Sequence, residues 1–84
     1  MKTVVIDFHD FNDSKSVHEF LAARLEFPDY YGKNLDALYD VLTTDIKDVN
    51  ILVLPTGRDW EQRMIKVFTD AAAENPYFSV GVKR

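Results

Sequence analysis

The sequence predicts an α/β fold: a three-stranded parallel sheet packed against three helices, in the order β-α-α-β-α-β. β-branched or wholly apolar runs recur at Thr3–Phe8, Ile51–Leu54 and Tyr77–Val82. Between them lie segments whose apolar residues repeat with helical spacing. Strands separated by helices join as parallel neighbours through right-handed crossovers. With three strands, the first is expected in the middle of the sheet.

Thr3–Phe8 forms the first strand, and a polar turn from His9 to Ser14 follows. Ser16 and Glu19 stand at capping-box spacing, opening a helix with Val17, Phe20, Leu21 and Leu25 on one side. Pro28 ends it, because the residue before a proline disfavours helical angles. Gly32 frees the backbone before a second helix, capped by Asn34 and running to about Ile46. Leu35, Leu38, Leu42 and Ile46 form its buried stripe at i, i+3, i+7 and i+11. Ile51–Leu54 is apolar throughout, as expected of a central strand covered on both faces. Pro55-Thr56-Gly57 is a turn. Trp60, Met64, Val67, Phe68 and Ala71 mark the third helix, which Asn75-Pro76 stops before the last strand.

A chain of 84 residues is one domain, 1–84, with a small core. Its 46% hydrophobic and 13% aromatic content suits a globular fold and argues against disorder. The absence of cysteine excludes disulfides and thiolate metal sites. The N-terminus lacks a signal-peptide core, and no apolar run approaches a membrane span, so a cytoplasmic protein is expected. A net charge of −4 disfavours direct nucleic-acid binding and favours a basic protein partner.

The most informative segment is Pro28–Thr43, PDYYGKNLDALYDVLT. On its helix Asp36, Asp40 and Thr43 fall at i, i+4 and i+7, on an arc roughly 100° from the aliphatic stripe. Tyr39 lies between the two arcs. Side chains at i and i+4 have Cβ atoms about 5–6 Å apart, comparable to successive phosphates on one nucleic-acid strand. The arc can therefore imitate phosphates. It also has a plain reading, in which Asp36 favours the positive end of the helix dipole and Asp40 is merely solvated.

The segment YYGKNLDALYDVLT resembles the signature of the barstar family, intracellular inhibitors of barnase-type ribonucleases. The likeness runs without gaps from about Val17 to Thr43. A weaker echo returns at Val67–Ala71 and at Ala73-Glu74. It implies a barstar-like three-stranded parallel sheet packed against helices, in agreement with the pattern above. One departure is the short turn before Trp60, where the family's best-known member inserts a small helix.

The resemblance also implies roles. Asp40 aligns with the carboxylate that fills the nuclease's phosphate pocket, facing arginines and the catalytic histidine. Asp36 would be a second acidic contact. Tyr30 aligns with the family's contact tyrosine, while Tyr31 packs beneath the loop. Tyr39 stands where a tryptophan anchors the best-known member. Asn34 and Thr43 would hydrogen-bond across the interface, although Asn34 is equally the helix cap. Thr44 replaces a glycine and Asp45 an aromatic, so the far rim of the surface has changed. Asp70 aligns with a peripheral acidic contact, and a solvated surface aspartate is an equal reading.

The expected function is thus ribonuclease inhibition by an acidic helix and tyrosine loop, as an immunity or self-protection protein. It implies a monomer forming a 1:1 complex with a basic, barnase-like extracellular or toxin ribonuclease, with no cofactor, metal, nucleic acid or membrane. The alternative is an acidic adaptor with a non-nuclease partner. An enzyme is not expected. Asp7, His9, Asp10 and Asp13 cluster after the first strand, but no second histidine at ligand spacing, glycine-rich phosphate loop or nucleophile motif accompanies them. His18 is read as a surface or core-edge residue.

Overall fold

The computed structural model describes residues 1–83. The order is β1 (Lys2–Asp7), a 3₁₀ turn (Phe8–Asp10), α1 (Ser14–Leu25), α2 (Leu35–Thr44), β2 (Val49–Leu54), α3 (Asp59–Glu74) and β3 (Phe78–Val82). This is the predicted α/β arrangement, with three helices and a three-stranded parallel sheet.

The strand order corrects the expectation. β2, not β1, is central, with Val4 opposite Ile51 and Ile51 opposite Val80. Two right-handed crossovers stepping the same way leave the strands in chain order and put every helix on one face. A central β1 would have needed steps in opposite directions, and so helices on both faces. The burial pattern agrees with one-sided cover. Val4, Ile6, Val49, Ile51, Val53 and Phe78 are buried, whereas Val5 is 49% exposed and Leu52 and Leu54 are half-buried. The continuous apolar run of β2 does mark the central strand, but not one covered on both faces: Leu52 is half-buried over Gly81, where a Cβ would meet its Cδ1 at 3.5 Å.

Helix boundaries follow local chemistry. α1 starts earlier than the Ser16–Glu19 spacing implied: Asp13 is its cap and accepts from the Ser16 amide at 2.9 Å. It ends before Pro28, with Glu26 in the left-handed region (φ +56°) and the Phe27 amide returning to the Ala22 carbonyl. On α2 the buried residues are Leu38, Val41 and Leu42, while Leu35 is half-buried. Ile46 is buried but lies past the helix end. α3 extends to Glu74, burying Met64, Ile65, Phe68 and Ala71 with the carboxylate of Glu61.

Asn75 is more than a helix stop. Its buried Nδ2 donates to the Leu42 and Ile46 carbonyls, both at 2.9 Å, and its Oδ1 accepts from the Tyr77 amide. One amide thereby satisfies orphan carbonyls at the end of α2 and fixes the α3–β3 turn to them. Asn75→Ala should destabilise the protein by about 2–4 kcal/mol, because buried partners are left unpaired. Urea unfolding would measure the loss, and a change under about 0.5 kcal/mol would reject the clamp.

Candidate functional site

The site is assembled from the Pro28–Gly32 loop and the exposed side of α2. The loop rests on Tyr31. Its ring packs edge-on against Phe27, with centroids 4.8 Å apart, and its hydroxyl lies 2.5 Å from Nδ1 of the buried His18. His18 is thus a buried anchor rather than a core-edge residue. Burial lowers the His18 pKa and pushes that of Tyr31 up, so both stay neutral near pH 7. The hydroxyl then donates to the imidazole lone pair. Tyr31 faces inward as expected, and its neighbour Tyr30 is 86% exposed.

This anchor carries a pH signature. The lowered His18 value means the unfolded chain takes up a proton before the folded one does as pH falls below 6.5. Stability is therefore complete above 6.5 and declines below it, until the folded histidine also titrates. His18→Gln should abolish this mild-acid decline. Midpoints that fall in parallel for both proteins between pH 7 and 5.5 would remove His18 from the explanation.

The turn into α2 departs from expectation in one detail. The positive φ belongs to Lys33 (+53°), not to Gly32. Gly32 is needed for space: a Cβ there would come within 3.0 Å of Asn34 Nδ2, which donates to the Gly32 carbonyl. Asn34 is the helix cap, its Oδ1 accepting from the Ala37 amide at 2.8 Å. Lys33 reaches Glu19 of α1 at 3.6 Å across the exposed surface.

Along α2 the predicted residues separate. Asp36 and Asp40 are exposed, and no salt bridge among the described residues uses either. Tyr39 is half-buried against the core. Thr43 is turned onto its own helix, its Oγ1 donating to the Tyr39 carbonyl at 2.8 Å. The hydroxyl oxygen keeps its lone pairs, so it can still accept a hydrogen bond. Thr44 Oγ1 donates to the Asp40 carbonyl at 2.7 Å. Asp70 lies on α3, paired with Lys66 at 2.9 Å. That pairing weakens its claim as a free acidic contact.

Between loop and helix runs an open cleft of about 230 Å³. It brings together Tyr30, Asp40 and Thr44 from the predicted set, along with Tyr31, Gly32, Val41 and Asp45. Asn34, Asp36, Tyr39, Thr43 and Asp70 lie outside its lining. The cleft offers an aromatic wall, an apolar floor and a carboxylate rim, and no basic side chain among the described residues lines it. Such a surface can desolvate and hold a cationic group.

The cluster after β1 is differently employed. Asp7 accepts from the His9 amide and ring, and Asp13 caps α1. Among the described residues no three His, Cys, Asp or Glu side chains converge as a metal site. None of the described helices is long and apolar enough to cross a membrane.

Comparison with known proteins identifies the family. Residues 1–75 match the family described as Barstar (barnase inhibitor), and the chain belongs to that family. Over 43 residues it is 51% identical to the protein named "Putative ribonuclease inhibitor YrdF" of Bacillus subtilis (strain 168). That match covers 51% of this chain and 47% of the relative, so it spans about half the length of each.

Proposed function

We propose that this protein is a ribonuclease inhibitor that plugs the active site of a basic, barnase-like nuclease. α2 and the Tyr30–Gly32 loop enter the substrate groove. Asp40 takes a phosphate position opposite the arginines and catalytic histidine, and Asp36 supplies a second negative contact. Tyr30 covers the catalytic groups, and Thr44 lines the edge of the contact. RNA is excluded by competition, so the inhibitor needs no chemistry or cofactor of its own. Asn34 works mainly by holding the helix start, Tyr39 by supporting the acidic arc from its half-buried position, and Asp70 at most by steering approach. The complex is 1:1 and forms in the cytoplasm.

The observation that carries this reading is the pairing of a largely exposed Tyr30 with an exposed Asp40 across one cleft. Family membership and the name of the Bacillus subtilis relative support the same role. The test is RNA cleavage by small microbial guanyl-preferring ribonucleases with the protein added. Inhibition relieved by raising the RNA concentration is the expected result. Binding that leaves cleavage intact would instead favour an adaptor docking on a non-catalytic surface.

A further inference from the structure

The loop that carries Tyr30 has almost no backbone structure of its own. Among the described residues, Asp29–Lys33 make one backbone-to-backbone hydrogen bond, from the Tyr31 amide to the Pro28 carbonyl at 2.9 Å. Side chains must therefore hold the loop, and two of them end on successive residues of α1. The Tyr31 hydroxyl meets Nδ1 of His18 at 2.5 Å, and Lys33, at its positive φ, reaches Glu19. The second tie is an exposed ion pair at 3.6 Å and holds little. The first ends on a buried imidazole. A hydrogen bond to one ring atom also fixes a direction, which the edge-on packing of Tyr31 against Phe27 does not. Tyr30, largely exposed, stands where the anchorage of its neighbour puts it, across the cleft from Asp40.

We infer that His18 is a positioning residue for recognition: acting through Tyr31 from inside the domain, it fixes the loop wall of the cleft and with it the place of Tyr30. An aromatic side chain already held in place loses less freedom on binding, so the gain appears as affinity. If the pair served stability alone, two apolar side chains would do as well, because replacing both members of a buried hydrogen bond is nearly neutral. Such a pair has no preferred direction and leaves the loop free to slide. That Tyr30 meets a nuclease rests on the function proposed above, whereas the hold of His18 on the loop is readable in the free protein.

The experiment compares the wild type with Tyr31→Phe, with the double variant His18→Leu, Tyr31→Phe, and with the single variants His18→Leu, His18→Asn and Glu19→Gln. Amide exchange and backbone relaxation are followed by NMR, with a melting curve for each protein. Tyr31→Phe and the double variant should speed exchange of the Tyr31 amide about fivefold to tenfold, the equivalent of one hydrogen bond. Order parameters at Tyr30 and Gly32 should fall to about 0.6 or less. The midpoint of the double variant should stay within about 4 °C of the wild type, so that the loosening is not a loss of fold. His18→Asn returns an acceptor close to the place of Nδ1 and should order the loop better than His18→Leu, although it fills less volume. Glu19→Gln should leave the loop as it is. Against a ribonuclease that the wild type inhibits, the double variant should bind about fivefold to tenfold more weakly. An unchanged loop in the double variant, a loop equally loose in His18→Asn and His18→Leu, or equal loosening by Glu19→Gln and Tyr31→Phe would each overturn the inference. A loosened loop with undiminished inhibition would do the same. If no ribonuclease is inhibited, the proposed function fails, and the loop measurements still decide what His18 does.

Discussion

Asp40→Ala should weaken inhibition of a susceptible ribonuclease by roughly 10²–10⁴-fold, equivalent to about 3–5 kcal/mol. The size follows from what the substitution leaves behind. In the complex the carboxylate would be desolvated among nuclease arginines, and removing it strands those cations in a dry interface. Most of the loss should appear as faster dissociation, because encounter is steered by the whole negative face rather than one group. The isolated protein should fold as before, since Asp40 is exposed and no salt bridge of the described residues uses it. Inhibition constants measured at fixed salt, with a melting curve for each variant, provide the check. Equal inhibition by wild type and Asp40→Ala would reject the phosphate-mimic role. Asp36→Ala, outside the cleft, should lose much less.

The largest effect on stability is expected at Glu61. This carboxylate is fully buried and receives the Thr56 amide at 2.6 Å, the Gly57 amide at 3.1 Å and the Thr56 hydroxyl. Arg58 Nε donates to it at 2.5 Å, and the same guanidinium donates to the Phe8 carbonyl at 2.6 Å. Arg58 also lies 4.7 Å from the Trp60 ring centre, and Trp60 meets Phe8 edge-on at 5.3 Å. Glu61 stands third in α3, and its reach back over the preceding turn resembles a capping box extended by one or two residues. The Pro55–Arg58 turn, which has no helix of its own, is organised by this one side chain.

Glu61→Ala would strand several donors and a guanidinium, costing about 2–4 kcal/mol. For a domain of this size that lowers the thermal midpoint by roughly 10–25 °C. Burial by itself raises the Glu61 pKa, but hydrogen bonds from Thr56, Arg58 and the two amides outweigh it and hold the value at about 2, against an ordinary 4.5. Between these values the unfolded chain binds the extra proton. The contribution is therefore complete above pH 4.5 and lost progressively as pH falls toward 2. Glu61→Gln should show lower stability at neutral pH and a shallower decline below pH 4.5. If both proteins lose stability along the same acid curve, the carboxylate is not the organising charge.

Much of the architecture was legible because its signals are local. The Asn34 cap, the α2 stripe and the exposed Asp36 and Asp40 depend on residues within about a turn of one another. The inward Tyr31 and outward Tyr30 also agreed with what the family resemblance implied. Glu61 was less legible. Three residues into an amphipathic helix it looks like any first-turn acid favoured by the dipole, and only its burial distinguishes it. The Thr43 hydroxyl donates to its own backbone in the free chain, an option invisible to spacing.

Residue order alone determined the β-α-α-β-α-β succession and the acidic helix behind a tyrosine loop, since helical period, caps and proline stops are written in near neighbours. Only tertiary structure decided that β1 lies at a sheet edge, that all helices share one face, and that Asp40 and Asp45 line a common cleft. The same holds for the joining of Arg58 to Phe8, Asn75 to Leu42 and His18 to Tyr31. These partners are 50, 33 and 13 residues apart. Their meeting depends on which way the crossovers step and how the core closes, and no local pattern encodes that choice.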